Sequence, residues 1–72
     1  MKEFYCVYTN WGENYFQKEE NAIAYLWNEY LLYLRNLDIT KTEKELNKMK
    51  EQLNDFYYID DVGEIQIIEF ED

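Results

Sequence analysis

The chain has no histidine, no proline and no serine, and it contains one cysteine and two glycines. Without histidine or serine, the Ser-His and Cys-His pairs that activate nucleophiles cannot form. One cysteine excludes an internal disulfide and a multi-cysteine zinc site, and we expect this thiol, Cys6, to be buried. Gly12 and Gly63 lie too far apart for a glycine-rich phosphate loop. These absences predict a protein that is not an enzyme and that binds no cofactor.

Positive charge is missing from the last third of the chain. Residues 51–72 carry eight acids and no base, whereas residues 1–50 carry eight acids and seven bases. Like charges held together repel and slightly destabilise the compact state, so this block needs an explanation. The net charge of −9 also opposes binding to nucleic acid or to an anionic membrane surface. The charge distribution therefore indicates a basic protein as the partner.

Long apolar runs are also absent. The apolar stretch in the first half of the chain is interrupted by Asn28, Glu29 and Arg35, so it does not predict a membrane span. The first residues lack the apolar middle region of a signal peptide, and we expect the protein in the cytoplasm of a bacterial host cell. Apolar residues make up 47% and aromatics 19% of the 72 residues, which predicts a single domain over residues 1–72 with a dense core.

Hydrophobic periodicity predicts the order ββααββ. The spacing of apolar residues predicts a helix from Glu19 to Asn36 or Leu37, with Leu37 facing the sheet. A second helix is predicted to end near Asn54 and to begin with a capping box, either Thr40 with Glu43 or Thr42 with Glu45. Strands rich in aromatic and β-branched residues are predicted at Phe4–Thr9, Asn14–Gln17, Phe56–Ile59 and Ile65–Phe70.

The two glycines are predicted to take positive φ in the turns that join these strands. The elements together predict an α+β fold, a four-stranded antiparallel sheet with two helices on one face.

The acidic C-terminal hairpin is the first candidate binding surface. A fixed array of carboxylates presents negative charge to a basic groove, as a phosphate backbone does. Tyrosines, which lie beside these acids, are common in protein interfaces. The alternative is that the acids serve solubility and protect the sheet edge. Their spacing in residues 60–64 does not match a calcium loop, so a solvated turn is favoured over a metal site. The candidate partner-binding residues are Asp55, Asp60, Asp61, Glu64, Glu69, Glu71, Asp72, Tyr57 and Tyr58.

The first helix provides a second candidate. Apolar residues lie around most of its circumference, and such a helix is either central to a core or covered by another surface. In this interpretation the protein is an interaction module or a homodimer, and its acids serve solubility alone. The candidate oligomer face comprises Trp11, Tyr25, Leu32 and Tyr33.

In size, acidity and aromatic content the chain resembles small phage-encoded inhibitors of bacterial defence, the anti-CRISPR and anti-restriction DNA-mimic proteins. Those proteins share no single fold or motif, so the resemblance transfers no residue. It implies an inhibitor that binds its target stoichiometrically and blocks the basic nucleic-acid-binding surface of a defence nuclease, such as a CRISPR effector or a restriction enzyme.

Overall fold

A computed structural model describes residues 2–70 as four antiparallel strands and two helices. The strands form one sheet in the order β2 (Gly12–Phe16), β1 (Lys2–Thr9), β4 (Gly63–Phe70), β3 (Tyr58–Ile59), so the first and last strands of the chain lie side by side at its centre. This arrangement confirms the predicted α+β fold and its ββααββ order. The elements are β1 (Lys2–Thr9), β2 (Gly12–Phe16), α1 (Glu19–Asn36), α2 (Glu43–Phe56), β3 (Tyr58–Ile59) and β4 (Gly63–Phe70).

The two faces of the sheet have different surroundings. Residues directly opposite each other on antiparallel strands share a face, and Val7 lies opposite Ile65. Both side chains are buried in one cluster with Leu26 of α1 and Leu53 of α2. Both helices therefore cover the face that carries Val7, as predicted, and we call the other side of the sheet the open face.

Helix α1 follows its predicted bounds and packs on the sheet through one stripe of side chains. The buried residues recur every fourth position, as a 3.6-residue period requires. The stripe ends before Leu37, which follows the last helical residue and is 53% exposed, so the predicted contact of Leu37 with the sheet is wrong. The buried residues of α1 are Ala22, Leu26, Tyr30 and Leu34.

The capping box of α2 forms at Thr42 and Glu45, the second of the two predicted registers. The backbone N–H of Glu45 donates to Thr42 Oγ1 at 3.2 Å, and the backbone N–H of Thr42 donates to Glu45 Oε1 at 3.4 Å. The hydrogen bonds from Thr42 hold the pKa of the Glu45 carboxyl below its usual range. Because the box satisfies N–H groups that no helical carbonyl can reach, it fixes where α2 begins.

Helix α2 continues past its predicted end and shortens the third strand. Phe56 is still helical, and Tyr57 ends the helix in the left-handed conformation with φ of 60°. The Tyr57 N–H donates to the carbonyl of Leu53 at 2.9 Å, which satisfies one carbonyl at the helix end. The prediction of a strand from Phe56 to Ile59 is therefore too long by two residues, because β3 begins at Tyr58.

In the turn before β4, the residue that takes the left-handed backbone conformation is an aspartate. Gly12 takes positive φ as predicted, but the prediction for Gly63 is wrong, because Asp61 takes the left-handed conformation with φ of 66°. Gly63 serves a different purpose. A Cβ atom at this position would overlap the carbonyl oxygen of Tyr8 on the neighbouring strand. The close approach of β4 to β1 therefore requires a glycine here.

We expect Gly63→Ala to destabilise the fold, because backbone atoms of β1 cannot move aside as a flexible side chain could. Overpacking at such a site costs about 2 kcal/mol of unfolding free energy, which lowers the melting temperature of so small a domain by about 10 °C. Thermal unfolding followed by circular dichroism measures the shift. Gln66→Ala, on an exposed position of the same strand, is the control and should change stability by less than about 0.5 kcal/mol. Equal melting temperatures for the two variants would contradict the close approach.

Candidate functional site

A row of alternating acids and tyrosines crosses one end of the open face. Glu13 of β2 pairs with Tyr8 of β1, Tyr8 pairs with Glu64 of β4, and Glu64 pairs with Tyr58 of β3. Neighbouring strands lie about 4.8 Å apart, so the strands that carry the two carboxylates are separated by about 10 Å with a phenol between them. We call Glu13, Tyr8, Glu64 and Tyr58 the tyrosine–acid row.

Two turns next to the row add further carboxylates. Asp60 and Asp61 form the turn between β3 and β4, which the Val62 N–H closes by donating to the carbonyl of Ile59 at 3.2 Å. Asn10, in the turn between β1 and β2, holds the two turns together. Its side-chain Nδ2 donates to the carbonyl of Asp61 at 2.6 Å. We call the carboxylates gathered here the acidic end: Glu13, Asp60, Asp61 and Glu64.

The described strands carry almost no basic side chains. The register gives the described strands one base on the open face, Lys2, and it lies at the opposite end of β1. The lysines of α2 belong to a helix on the other side of the sheet. Lys50, for example, lies 5.6 Å from the ring centroid of Trp27 on α1. The carboxylates of the row therefore face solvent without a cation beside them on the described open face.

Two tyrosines of this region have pKa values raised above the usual range. Hydrogen bonding with the Cys6 side chain, together with partial burial, raises the pKa of Tyr8 to about 12. The Glu13 carboxylate, two residues away on the same face of β2, is the main cause that raises the pKa of Tyr15. The row therefore alternates carboxyl groups with phenols, and the phenol of Tyr8 keeps its proton at neutral pH.

Away from the acidic end, the open face is largely apolar, with Gln66 and Lys2 as its polar residues on the central strands. Cys6 is fully buried, as predicted, and lies in this face between Tyr15 on β2 and Gln66 on β4. Further from the acidic end, the rings of Phe4 and Phe70 meet edge to face with centroids 5.3 Å apart. Tyr15 is 56% and Phe70 47% exposed. Antiparallel sheets with one free face usually carry polar residues along it, whereas this face also exposes several aromatic residues.

The structure gathers three of the predicted acids and separates others. Asp60, Asp61 and Glu64 belong to the acidic end, whereas Asp55 is exposed in the last turn of α2. Glu69 projects from the helix-covered face, opposite Glu3 and about 17 Å along β4 from Glu64. The predicted residues Glu71 and Asp72 lie outside the described residues.

The two predicted tyrosines occupy different environments. Tyr58 is 41% exposed and belongs to the tyrosine–acid row. Tyr57 is partly buried, and its hydroxyl donates to Glu19 Oε2 at 2.5 Å, which raises the pKa of Tyr57 to about 12. Tyr57 therefore links the end of α2 to the beginning of α1.

The predicted oligomer face is brought together only in part. Trp11, Leu32 and Tyr33 line one hollow of about 310 Å³ on the flank of α1. Trp11 is held there because its Nε1 donates to Glu29 Oε2 at 2.8 Å. Tyr25 lies elsewhere, where its ring is 5.3 Å from that of Phe16 and its hydroxyl accepts a hydrogen bond from Asn14.

Sequence reasoning missed Glu13 and Tyr8, which complete the row. A local signal for them exists, because a two-residue turn at Asn10 and Trp11 makes Glu13 the partner of Tyr8. The partnership of Tyr8 with Glu64 depends on strand order, which no local pattern reveals.

Comparison of the chain with protein-family models, with curated protein sequences and with solved structures gave no match. Neither described helix has both the length and the apolar character that crossing a bilayer requires. Within residues 2–70, no three acidic or cysteine side chains are grouped so as to hold a metal ion.

We expect Glu13→Gln to lower the pKa of Tyr15, because the carboxylate that opposes formation of the tyrosinate would be gone. The measurement is an NMR titration of the tyrosine ring carbons in isotope-labelled protein. Glu20→Gln removes the same charge from the first turn of α1 and should leave the pKa of Tyr15 unchanged. An identical Tyr15 titration in Glu13→Gln and in the unsubstituted protein would contradict the placement of Glu13 beside Tyr15.

Proposed function

We propose that this protein is a non-enzymatic inhibitor that binds a basic, nucleic-acid-handling protein through its acidic end. The observation that carries the proposal is the tyrosine–acid row, with the Asp60–Asp61 turn beside it and no described base among its members. Four carboxylates held on neighbouring strands and turns compete with phosphates for cationic side chains. The electrostatic field of such an array also speeds association with a basic surface.

The alternation of acids and tyrosines favours arginine over lysine as the contacted side chain. A guanidinium group forms two parallel hydrogen bonds with one carboxylate, and its flat surface stacks on an aromatic ring. Glu64 has Tyr8 on one side and Tyr58 on the other, so an arginine bound to its carboxylate has a phenol ring within reach. A lysine ammonium group is attracted by the same negative charge, but it cannot form the two parallel hydrogen bonds with one carboxylate.

The resemblance to phage-encoded DNA-mimic inhibitors supplies the more specific part of the proposal. In that form, the partner is a bacterial defence nuclease, and the acidic end occupies the surface that the nuclease uses for nucleic acid. The rigid link between the two turns supports this form, because a mimic gains affinity when its charges are fixed before binding.

Affinity capture from bacterial lysate tests the proposal with a variant whose acidic end is neutralised. The four substitutions preserve side-chain shape, and asparagine tolerates the left-handed conformation at position 61. We expect the unsubstituted protein to retain nucleic-acid-binding proteins that added DNA or high salt releases, and the variant to lose them. The substitutions are Glu13→Gln, Asp60→Asn, Asp61→Asn and Glu64→Gln.

A matched control separates a specific site from net charge. It neutralises four exposed acids elsewhere, so both variants have the same net charge of about −5. Retention of the same proteins by the neutralised variant would contradict the proposal, and so would their loss from the control. The control substitutions are Glu3→Gln, Glu20→Gln, Asp38→Asn and Glu51→Gln.

A second candidate function is an interaction module that uses the hollow on α1. The hollow gathers Trp11, Leu32 and Tyr33, and Leu37 beside it is 53% exposed. Capture that survives neutralisation of the acidic end and high salt, but is lost in Leu32→Gln, would favour this candidate over the first.

A further inference from the structure

The apolar part of the open face has no role in a purely ionic contact. Residues on this face form successive pairs along the two central strands, Tyr8 with Glu64, then Cys6 with Gln66, then Phe4 with Ile68. Successive pairs are about 6.7 Å apart along the strands. Carboxylates thus stand at one end of the face, and the remainder carries aromatic and aliphatic side chains together with Gln66 and, at the far end, Lys2. A partner that fits this face must carry positive charge at the end that meets the carboxylates and apolar surface along the rest of its length.

The dimensions of the face suit one helix. Strand β1 has eight residues, which gives the face a length of about 26 Å. A helix of that length has about 17 residues, and its backbone and side chains are about 10 Å across. The central strands β1 and β4 would lie beneath it, with Tyr15 of β2 and Tyr58 of β3 on either side. A helix on this face would complete a three-layer arrangement in which both faces of the sheet are covered.

We propose that the open face binds a basic amphipathic helix of the partner protein, with its cationic side chains on the tyrosine–acid row and its apolar side chains on Tyr15, Phe4 and Ile68. This inference rests on the proposed function and adds the apolar contact and the helical form of the bound segment. Charge complementarity decides the occupant. A second copy of the chain has a net charge of −9 and would be repelled, whereas a cationic helix is attracted.

A helix that covers the exposed aromatic residues of the open face gains affinity beyond that of the ionic contact. Tyr15 and Phe70 are half exposed in the free protein, so covering them removes apolar surface from water. Aromatic side chains near the centre of an interface often dominate its binding energy. The buried Cys6 and the edge-to-face rings of Phe4 and Phe70 show that this face is already packed before a partner arrives. Little side-chain entropy is therefore lost on binding.

Synthetic peptides test the inference directly. One peptide of about 17 residues forms a leucine-striped helix with arginines clustered at one end, and a second has the same composition in scrambled order. We expect fluorescence anisotropy to show that the striped peptide binds at least about tenfold more tightly than the scrambled one. In isotope-labelled protein, the striped peptide should shift the NMR signals of open-face residues on β1 and β4.

Variants of the exposed aromatic residues locate the contact. Tyr15→Thr with Phe70→Thr keeps β-forming residues on the strands and should weaken the striped peptide about tenfold. The control, Leu31→Gln with Phe56→Gln, removes two exposed apolar side chains from the helices and should leave the affinity unchanged. A thermal melt of each variant confirms that it is folded, and the NMR shifts test the same contact without any substitution.

The outcomes separate this inference from the proposed function. Equal binding of the striped and scrambled peptides, or full affinity in the Tyr15 and Phe70 variant, overturns the amphipathic helix. If neutralising the acidic end still abolishes peptide binding when the amphipathic helix has been ruled out, the proposed function stands and only the helical form of the partner is rejected. If the neutralised variant binds both peptides normally, the proposed function itself fails. Sedimentation that shows a dimer dissociated by the Tyr15 and Phe70 substitutions would assign the face to a second copy and also overturn the inference.

Discussion

The pairing of β1 with β4 is the constraint on which the candidate site depends. It joins residues near the two ends of the chain and brings Tyr8 beside Glu64. Gly63 permits this pairing because no larger residue leaves room for the Tyr8 carbonyl. Since side chains alternate between the faces of a strand, the same register also places Val7 and Ile65 in the core. The hydrophobic core and the acidic surface are therefore fixed by one set of backbone contacts.

The fold also separates the charges of the chain. Both helices lie on one face of the sheet, so the lysines of α2 are on the side opposite the tyrosine–acid row. The acids that remain on the open face repel one another, and the hydrogen bonds of Asn10 hold their turns together. The fold thus holds these carboxylates in a fixed arrangement at one end of the sheet.

Local signals in the sequence predict the elements better than they predict the site. The spacing of Leu26, Tyr30 and Leu34 is sufficient to place α1, and the Thr42–Glu45 pair places the beginning of α2. The sequence predicts too early an end for α2, because Tyr57, a good strand former, takes the left-handed cap instead. Adjacency in sequence predicts one acidic surface, yet alternation along β4 sends Glu64 and Glu69 to opposite faces. The pairing of Tyr8 with Glu64, and with it the composition of the open face, depends on strand order, which arises from long-range pairing.

The most direct test of this account is the register of β1 against β4 in solution. Cross-strand NOEs in isotope-labelled protein report it residue by residue. The register described above predicts NOEs that join Tyr8 to Glu64 and Cys6 to Gln66, together with NOEs that join Tyr8 to Glu13 across the first hairpin. A register shifted by one residue would instead join Tyr8 to Gly63 or Ile65 and turn Glu64 toward the helices. That result would remove Glu64 from the tyrosine–acid row and contradict the proposed binding surface.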